Sequence, residues 1–316
     1  MRYFGTPGLL IAVLIALWAG QRALPVDAAT PTAFEIVHNV VYAQPGGYVL
    51  RADIYQPHGT GPFPAVLCVH GGAWAVGNKY QMVPIAQRLA ACGYAAVSID
   101  YRHAPQFVFP AQLQDCQDAL KWIRTHGRTY KFDVRRLGAW GYSAGAQLVT
   151  RMAFGPAPVA APVVCPGGNG RGKWVGSNLP GGPEGASLKL DLPPFPPLKA
   201  VVAGGTPADF RDLPLDSRVL AYWLGGSRQE KPEIYEAASP AQFVSAQAPP
   251  VFFYHGDSDS LVPIGPVKSL MHQLEALGVP TAMYVVPGAG HLGAFFDSNA
   301  LQQATDFLDK RLKGRD

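Results

Sequence analysis

Charge is scarce in this chain: Asp, Glu, Lys and Arg make up 15% of 316 residues, and the net charge is only +4. So small an excess, with no Lys/Arg cluster and no aromatic stacking motif beside it, excludes a nucleic-acid footprint. Cysteine is sparse too, at four residues with no Cys-x-x-Cys pair. The histidines do not fall at metal-ligand spacing, so no metal is expected. No internal repeat marks a solenoid, and nothing marks a second domain. What remains is 48% hydrophobic residues, enough for a large core and too many for a disordered chain. The length suits one large α/β domain.

The N-terminus stands apart. Arg2 precedes an apolar stretch from Leu9 to Ala19, and small residues gather around Val26-Asp27-Ala28-Ala29. A charged end, a short apolar centre and a small-x-small site together read as a secretory signal peptide over 1–28, leaving 29–316 as the mature domain. The apolar run is short for a span of about 20 residues, and a retained N-terminal anchor is the alternative. Cleavage after Ala28 removes two Arg and one Asp, a net loss of one positive charge. The expected destination is secreted or periplasmic, where disulfides are permitted. Cys68 falls in a predicted core strand, and Cys92 and Cys116 lie on or beside predicted helices, which suits buried free thiols. Any pairing among these three and Cys165 stays open.

Residues 34–56 alternate apolar and polar around Gly46-Gly47, as an antiparallel hairpin does. Strands and helices then alternate, which implies a mostly parallel sheet covered on both faces. Strands are predicted over 64–69, 95–99, 137–140, 199–203, 250–254 and 282–286. Helices are predicted over 81–91, closed by Gly93, and from Pro110, where Leu113, Cys116, Leu120 and Ile123 form one stripe ended by Gly127. A further stripe of Leu270, Leu274 and Leu277 is ended by Gly278. The exception is 154–198, rich in Gly and Pro and without either period. It reads as an irregular insertion, either a lid or rim loop beside the site or a solvated surface excursion.

The chemistry gathers where strands end. Gly141-Tyr142-Ser143-Ala144-Gly145 lies between a predicted strand and a predicted helix, the setting of a nucleophile elbow. The strand ending at Val69 runs into His70-Gly71-Gly72-Ala73-Trp74, whose backbone N–H groups are free to face an anion. Another strand precedes His255-Gly256-Asp257-Ser258-Asp259, and the last precedes Pro287-Gly288-Ala289-Gly290-His291. The order Ser, Asp, His is that of α/β-hydrolases rather than chymotrypsin or subtilisin. Ser143 is the candidate nucleophile and His291 its base. Ala144, Gly72 and Ala73 are the candidate oxyanion donors. His70 is expected to hold its own loop, and His255 to brace the acid turn. His103, His126 and His272 are expected on the surface or in packing. Two acids compete in one turn, and Asp257 is expected to hydrogen-bond its own turn.

These motifs, with Ile99-Asp100-Tyr101-Arg102-His103-Ala104-Pro105, Phe109-Pro110-Ala111-Gln112 and Ala238-Ser239-Pro240, resemble the serine esterases of the α/β-hydrolase superfamily. The resemblance is greatest to feruloyl/acetylxylan-esterase-like carboxylesterases near the hormone-sensitive-lipase branch. It runs from about residue 36 to the C-terminus, with 154–198 excepted. It implies the α/β-hydrolase fold, an acyl-enzyme route on short acyl esters without a cofactor, and Asp259 as the triad acid. Acetyl or feruloyl groups on polysaccharide are the narrower substrate expectation. Two departures stand out: Ala73 replaces a frequent third Gly, and Ala146-Gln147 replaces a usual Gly-His. The alternatives are a kynurenine-formamidase-like amidohydrolase and a non-catalytic binding module on a hydrolase fold. The expected partner is a small-molecule or polysaccharide-linked ester. No membrane partner is expected unless the N-terminal segment is retained.

Overall fold

The computed structural model describes residues 33–155 and 198–314. The expected signal peptide and its cleavage site, Cys165 and all but the ends of the 154–198 insertion lie outside them. Among the described residues, no helix is long and apolar enough to cross a membrane.

An eight-stranded sheet in the order β1-β2-β4-β3-β5-β6-β7-β8 carries the fold. The first strands, β1 (Phe34–Ala43) and β2 (Leu50–Pro57), pair antiparallel as the alternation predicts. β2 also pairs antiparallel with β4 (Ala95–Ile99), which joins β3 (Phe63–Val69) in parallel. From there β5 (Phe132–Tyr142), β6 (Ala200–Gly204), β7 (Val251–Gly256) and β8 (Thr281–Val286) extend the sheet in parallel. β3 lies between two parallel neighbours and is covered on both faces. Its apolar residues therefore run continuously instead of alternating.

Two packed cores flank the sheet. One face holds α1 (Val83–Ala91), through Ile85 and Leu89, and the late helix α8 (Ser298–Leu308), through Leu301 and Leu308. The opposite face holds α2 (Ala111–Thr125), α3 (Ala144–Phe154) and α6 (Ile264–Ala276). In α2 the stripe Leu113, Cys116, Leu120 and Ile123 is buried as its spacing requires. Each buried Leu or Ile contributes about 2 kcal/mol. Two short helices, α4 (Ala221–Leu224) and α5 (Pro232–Ala238), follow β6. They are too short to show a period in sequence. The last short helix, α7 (His291–Phe295), follows β8.

Boundaries shift for local reasons. The predicted 81–91 helix divides into a 3₁₀ turn, Lys79–Met82, and α1, with Pro84 in the first turn of α1. Asn78 caps that 3₁₀ turn by accepting the Tyr80 N–H. Leu277 does not extend the α6 stripe. The helix stops at Ala276, Gly278 turns the chain with φ +73°, and Leu277 is 45% exposed.

Register brings the functional loops to one edge. Val69 pairs with Gly141, Tyr142 with Gly204, and Gly256 with Val286. The residues after β3, β5, β6, β7 and β8 thus leave the same, C-terminal, end of the sheet, where open α/β sheets place ligands.

Candidate active site

Ser143 occupies the tip of the turn between β5 and α3, at φ +53° and ψ −120°. A non-glycine residue in such a conformation costs of order 1–3 kcal/mol and persists only where its surroundings enforce it. Here the Ser143 N–H donates to the Gly204 carbonyl (2.8 Å), and the Ser143 carbonyl accepts the Gln147 N–H (3.0 Å). The flanking glycines are sterically required. A Cβ on Gly141 would strike the Gly145 backbone, and one on Gly145 would strike the carbonyls of Val69 and His70.

His291 opens α7 beyond β8 and is buried. Its Nδ1–H donates to Asp259 Oδ2 at 2.6 Å. An ionised carboxylate only accepts, so this bond fixes the proton on Nδ1 and leaves Nε2 as the basic nitrogen of the neutral ring. Ser143 and His291 line one cavity of about 340 Å³, together with Gly71, Gly72 and the apolar side chains of Met82 and Phe295. The Tyr142 hydroxyl donates to the His291 carbonyl, tying the elbow to the histidine segment. Gly205, at φ +55°, lets β6 approach this segment: a Cβ there would lie 2.9 Å from His291 Cε1.

Between the two competing acids the geometry is asymmetric. Asp259 Oδ1 accepts the N–H groups of Leu261 (2.9 Å) and Val262 (2.8 Å), so its own turn aims Oδ2 at His291. His255 donates from Nε2 to the Val262 carbonyl (2.8 Å) and lies 3.3 Å from Asp259 Oδ2, bracing the turn as expected. Burial alone would raise the Asp259 carboxyl. Hydrogen bonds from His255 and His291, with the nearby imidazole charge and the turn N–H groups, outweigh it and hold the group well below the ordinary carboxylate range. Asp257 is exposed and makes none of the expected Asx-type bonds to a backbone N–H of its own turn. It accepts the Gly288 N–H (2.8 Å) and the Ser258 hydroxyl (2.9 Å), because its carboxylate points toward the loop after β8.

The loop after β3 is strained and clamped. Gly72 has φ +110°, and Ala73 and Trp74 follow at +50° and +58°. A Cβ on Gly72 would strike the Val76 carbonyl. The Gly72 carbonyl accepts from Ala75 and Val76, both at 3.0 Å, while no turn or loop bond among the described residues engages the N–H of Gly72 or Ala73. Ala144 is the first residue of α3, where N–H groups lack intrahelical partners. His70 is fully buried, and its Nδ1–H donates to the Gly71 carbonyl at 2.6 Å, holding the loop as expected. Burial, partly opposed by that bond, lowers its imidazole to about 3, so it stays neutral. His103 packs edge-on against His70 and Tyr101, His126 stacks on Trp122, and His272 is exposed. Among the described residues, no group of three or more His, Cys, Asp or Glu could hold a metal ion.

Sequence reasoning missed the residues that hold these parts together. They are Tyr142 and Gly205 at the histidine, and Gln147, Tyr222 and Trp223 behind the loop. The Gly204-Gly205 pair at the end of a predicted strand, and the Ala146-Gln147 departure from the usual Gly-His, were the available signals. The others are revealed only by contacts across the chain.

This geometry agrees with the comparisons. A family model described as BD-FAE matches residues 52–157 and 194–274, well over half of the chain. The chain belongs to the BD-FAE family. Among curated relatives, the probable carboxylic ester hydrolase LipM of Mycobacterium tuberculosis is 30% identical over 228 residues, covering 71% of this chain and 48% of LipM. Esterase LipQ of the same organism is 28% identical over 274 residues, covering 84% of this chain and 60% of LipQ. The chain thus spans about half to three-fifths of the length of these relatives. Among solved structures, a truncated carbohydrate esterase from gut microbiota superposes with a TM-score of 0.71 at 23% identity, covering 92% of this chain and 100% of that one. The propionate-bound esterase Est2 of Thermogutta terrifontis gives a TM-score of 0.66 at 20% identity, covering 89% and 94%. The fold is the α/β-hydrolase fold of these esterases.

Proposed function

We propose that this BD-FAE member is a serine carboxylesterase acting on short acyl esters through an acyl-enzyme. The observation that carries the reading is the 2.6 Å bond from His291 Nδ1–H to Asp259, on a histidine that shares its cavity with Ser143. In this mechanism His291 Nε2 takes the Ser143 proton as Oγ bonds to the acyl carbon. The resulting oxyanion is held by the N–H groups of Ala144, Gly72 and Ala73. The protonated imidazole, stabilised by Asp259, then gives its proton to the leaving alcohol oxygen as the C–O bond breaks. Water repeats the cycle, releasing the acid and restoring Ser143.

The cavity favours a neutral, compact acyl group, since Val76, Met82, Leu292 and Phe295 line it and, among the described residues, no Lys, Arg, Asp or Glu does. Acetyl or feruloyl groups on polysaccharide are the narrower reading, supported by the carbohydrate-esterase neighbour. Residues 1–28 serve as the export signal, which N-terminal sequencing of exported protein tests by a start near Ala29. The activity is tested with p-nitrophenyl esters from acetate to palmitate and with a serine-directed organophosphonate. Fastest turnover of the shortest acyl groups and labelling at Ser143 alone are expected. Labelling elsewhere, or turnover only of N-formyl substrates, refutes the assignment.

A further inference from the structure

Gln147 is the buried amide that joins the nucleophile's helix to the donor loop. It lies one helical turn beyond Ser143, and its side chain is inaccessible to solvent. Its Oε1 accepts the Trp74 indole N–H at 2.9 Å, and its Nε2–H donates to the Ala238 carbonyl at 2.6 Å. No other orientation satisfies both partners, because an indole N–H only donates and a carbonyl only accepts. From the other side, the Tyr222 hydroxyl donates to the Ala73 carbonyl at 2.9 Å. The Trp74 ring lies flat on Trp223, with centroids 3.6 Å apart and planes within 2°. The Gln147 Oε1 bond, the Tyr222 bond and the Trp223 stacking converge on Ala73 and Trp74, two consecutive non-glycine residues held at positive φ.

We infer that Gln147, with Tyr222 opposite it, is a positioning residue that sets the oxyanion donors of residues 72 and 73 relative to Ser143. The inference rests on the esterase reading above. Without the clamp, the backbone at Ala73 and Trp74 relaxes toward negative φ, and that rotation turns the adjoining peptide N–H groups away. Oxyanion donors act only within about 2.7–3.1 Å of the position where charge develops, so the loss falls on the transition state and not on substrate binding. The residue type follows from the same geometry. One acceptor and one donor are needed, and an amide supplies both at every pH. A carboxylate would set an acceptor against the Ala238 carbonyl. A neutral imidazole offers one of each, and burial as deep as that of Gln147 keeps it neutral.

The test compares kcat and KM for p-nitrophenyl acetate in wild type, Gln147→Leu, Gln147→His and Tyr222→Phe between pH 5 and 8. The Ki of a trifluoromethyl ketone, whose serine adduct carries an oxyanion, is measured alongside. Gln147→Leu is expected to lose roughly 10- to 100-fold in kcat with KM within about twofold, and its Ki to rise by a matching factor. Tyr222→Phe is expected to show the same split at roughly three- to tenfold. Gln147→His is expected to recover kcat and Ki relative to Gln147→Leu across this pH range, because an imidazole buried there stays neutral and keeps one donor and one acceptor. If Gln147→Leu shows no cooperative urea transition, Gln147→His and Tyr222→Phe carry the test on the same criteria. Unchanged kcat and Ki in an active enzyme, or losses that fall on KM and that histidine does not rescue, overturn the inference alone. A wild type that hydrolyses no ester overturns the esterase reading and this inference with it.

Discussion

Replacing Asp259 with Asn separates an acid that orients the histidine from one that merely braces a turn. The structure supplies the magnitude. The carboxylate serves two sides at once: Oδ1 accepts from Leu261 and Val262, and Oδ2 accepts from His291. An amide cannot do both with oxygen. Turning its NH2 toward the half-buried Leu261 and Val262 N–H groups loses two hydrogen bonds, about 2 kcal/mol together. The favoured orientation therefore presents the NH2 to His291. The imidazole then carries its proton on Nε2, where it cannot accept one from Ser143. Only about one molecule in 30 keeps the productive arrangement. In that fraction a neutral acceptor replaces a charged one opposite the imidazolium, losing about 2 kcal/mol more. The two factors multiply to roughly 10³ in kcat, and a loss of 10³- to 10⁴-fold is expected. Steady-state hydrolysis of p-nitrophenyl acetate measures it, and urea unfolding checks that Asp259→Asn stays folded. Asp257→Asn is the control. Its side chain is exposed, and an amide oxygen can keep the Gly288 bond, so the cost is under about 1 kcal/mol and kcat should stay within about threefold. An Asp259→Asn enzyme within tenfold of wild type, or a catalytic collapse in Asp257→Asn, refutes the reasoning.

Ser143→Ala should abolish turnover by several orders of magnitude and block organophosphonate labelling while leaving the urea midpoint nearly unchanged; labelling that persists refutes Ser143 as nucleophile. Gly205→Ala places a Cβ 2.9 Å from His291 Cε1 at φ +55°, so urea unfolding should show a loss of about 1–3 kcal/mol and kcat should fall more than about tenfold. The histidine after β3 should mark the pH dependence of stability. Because burial lowers its imidazole to about 3, the native state binds fewer protons than the unfolded chain below about pH 6.5. Stability should therefore fall as pH drops through that window, by up to about 1.4 kcal/mol per unit, and His70→Gln should flatten this slope. The Asp259 carboxyl, held below its ordinary range, adds its own loss of stability only under about pH 4, which leaves the two windows distinguishable.

The parts of this site that were legible in sequence are those whose chemistry is written locally. Gly141 and Gly145 announce the elbow by their spacing within five residues: a Cβ on Gly141 would meet the Gly145 backbone, although the constraint on Gly145 comes from Val69 and His70 across the sheet. His291 and the acid turn were legible because each follows an apolar strand by a few residues, and parallel pairing carries all such ends to one edge. The stripe of α2 was read correctly for the same reason, and Leu277 was not, because a period extrapolated past the last turn says nothing about where the chain bends. The turn at Asp257 and Asp259 shows the limit more sharply. Both acids suit an Asx-type bond by type and position. Which one makes it depends on where the loop after β8 comes to rest, and Gly288 draws Asp257 away.

The clamp behind the donor loop was illegible for a deeper reason. Trp74, Gln147, Tyr222 and Ala238 are spread over more than 160 positions of the chain, and although Trp74 and Ala238 stand in motifs, nothing local to any of the four says that they meet. Yet the strain at Ala73 and Trp74 requires such a device. Two left-handed non-glycine residues in succession cost of order 2–6 kcal/mol, and a free loop would shed that cost by relaxing. Two hydrogen bonds of about 1 kcal/mol each, one buried and one partly buried, with the stacking of Trp74 on Trp223 and the burial of its ring, are of the size needed to hold it. The elbow obeys the same logic through Gly204 and the first turn of α3. Nucleophile and donor loop are thus both strained, and both are held by α3. Gln147, one turn from Ser143, links them through a single hydrogen bond to Trp74.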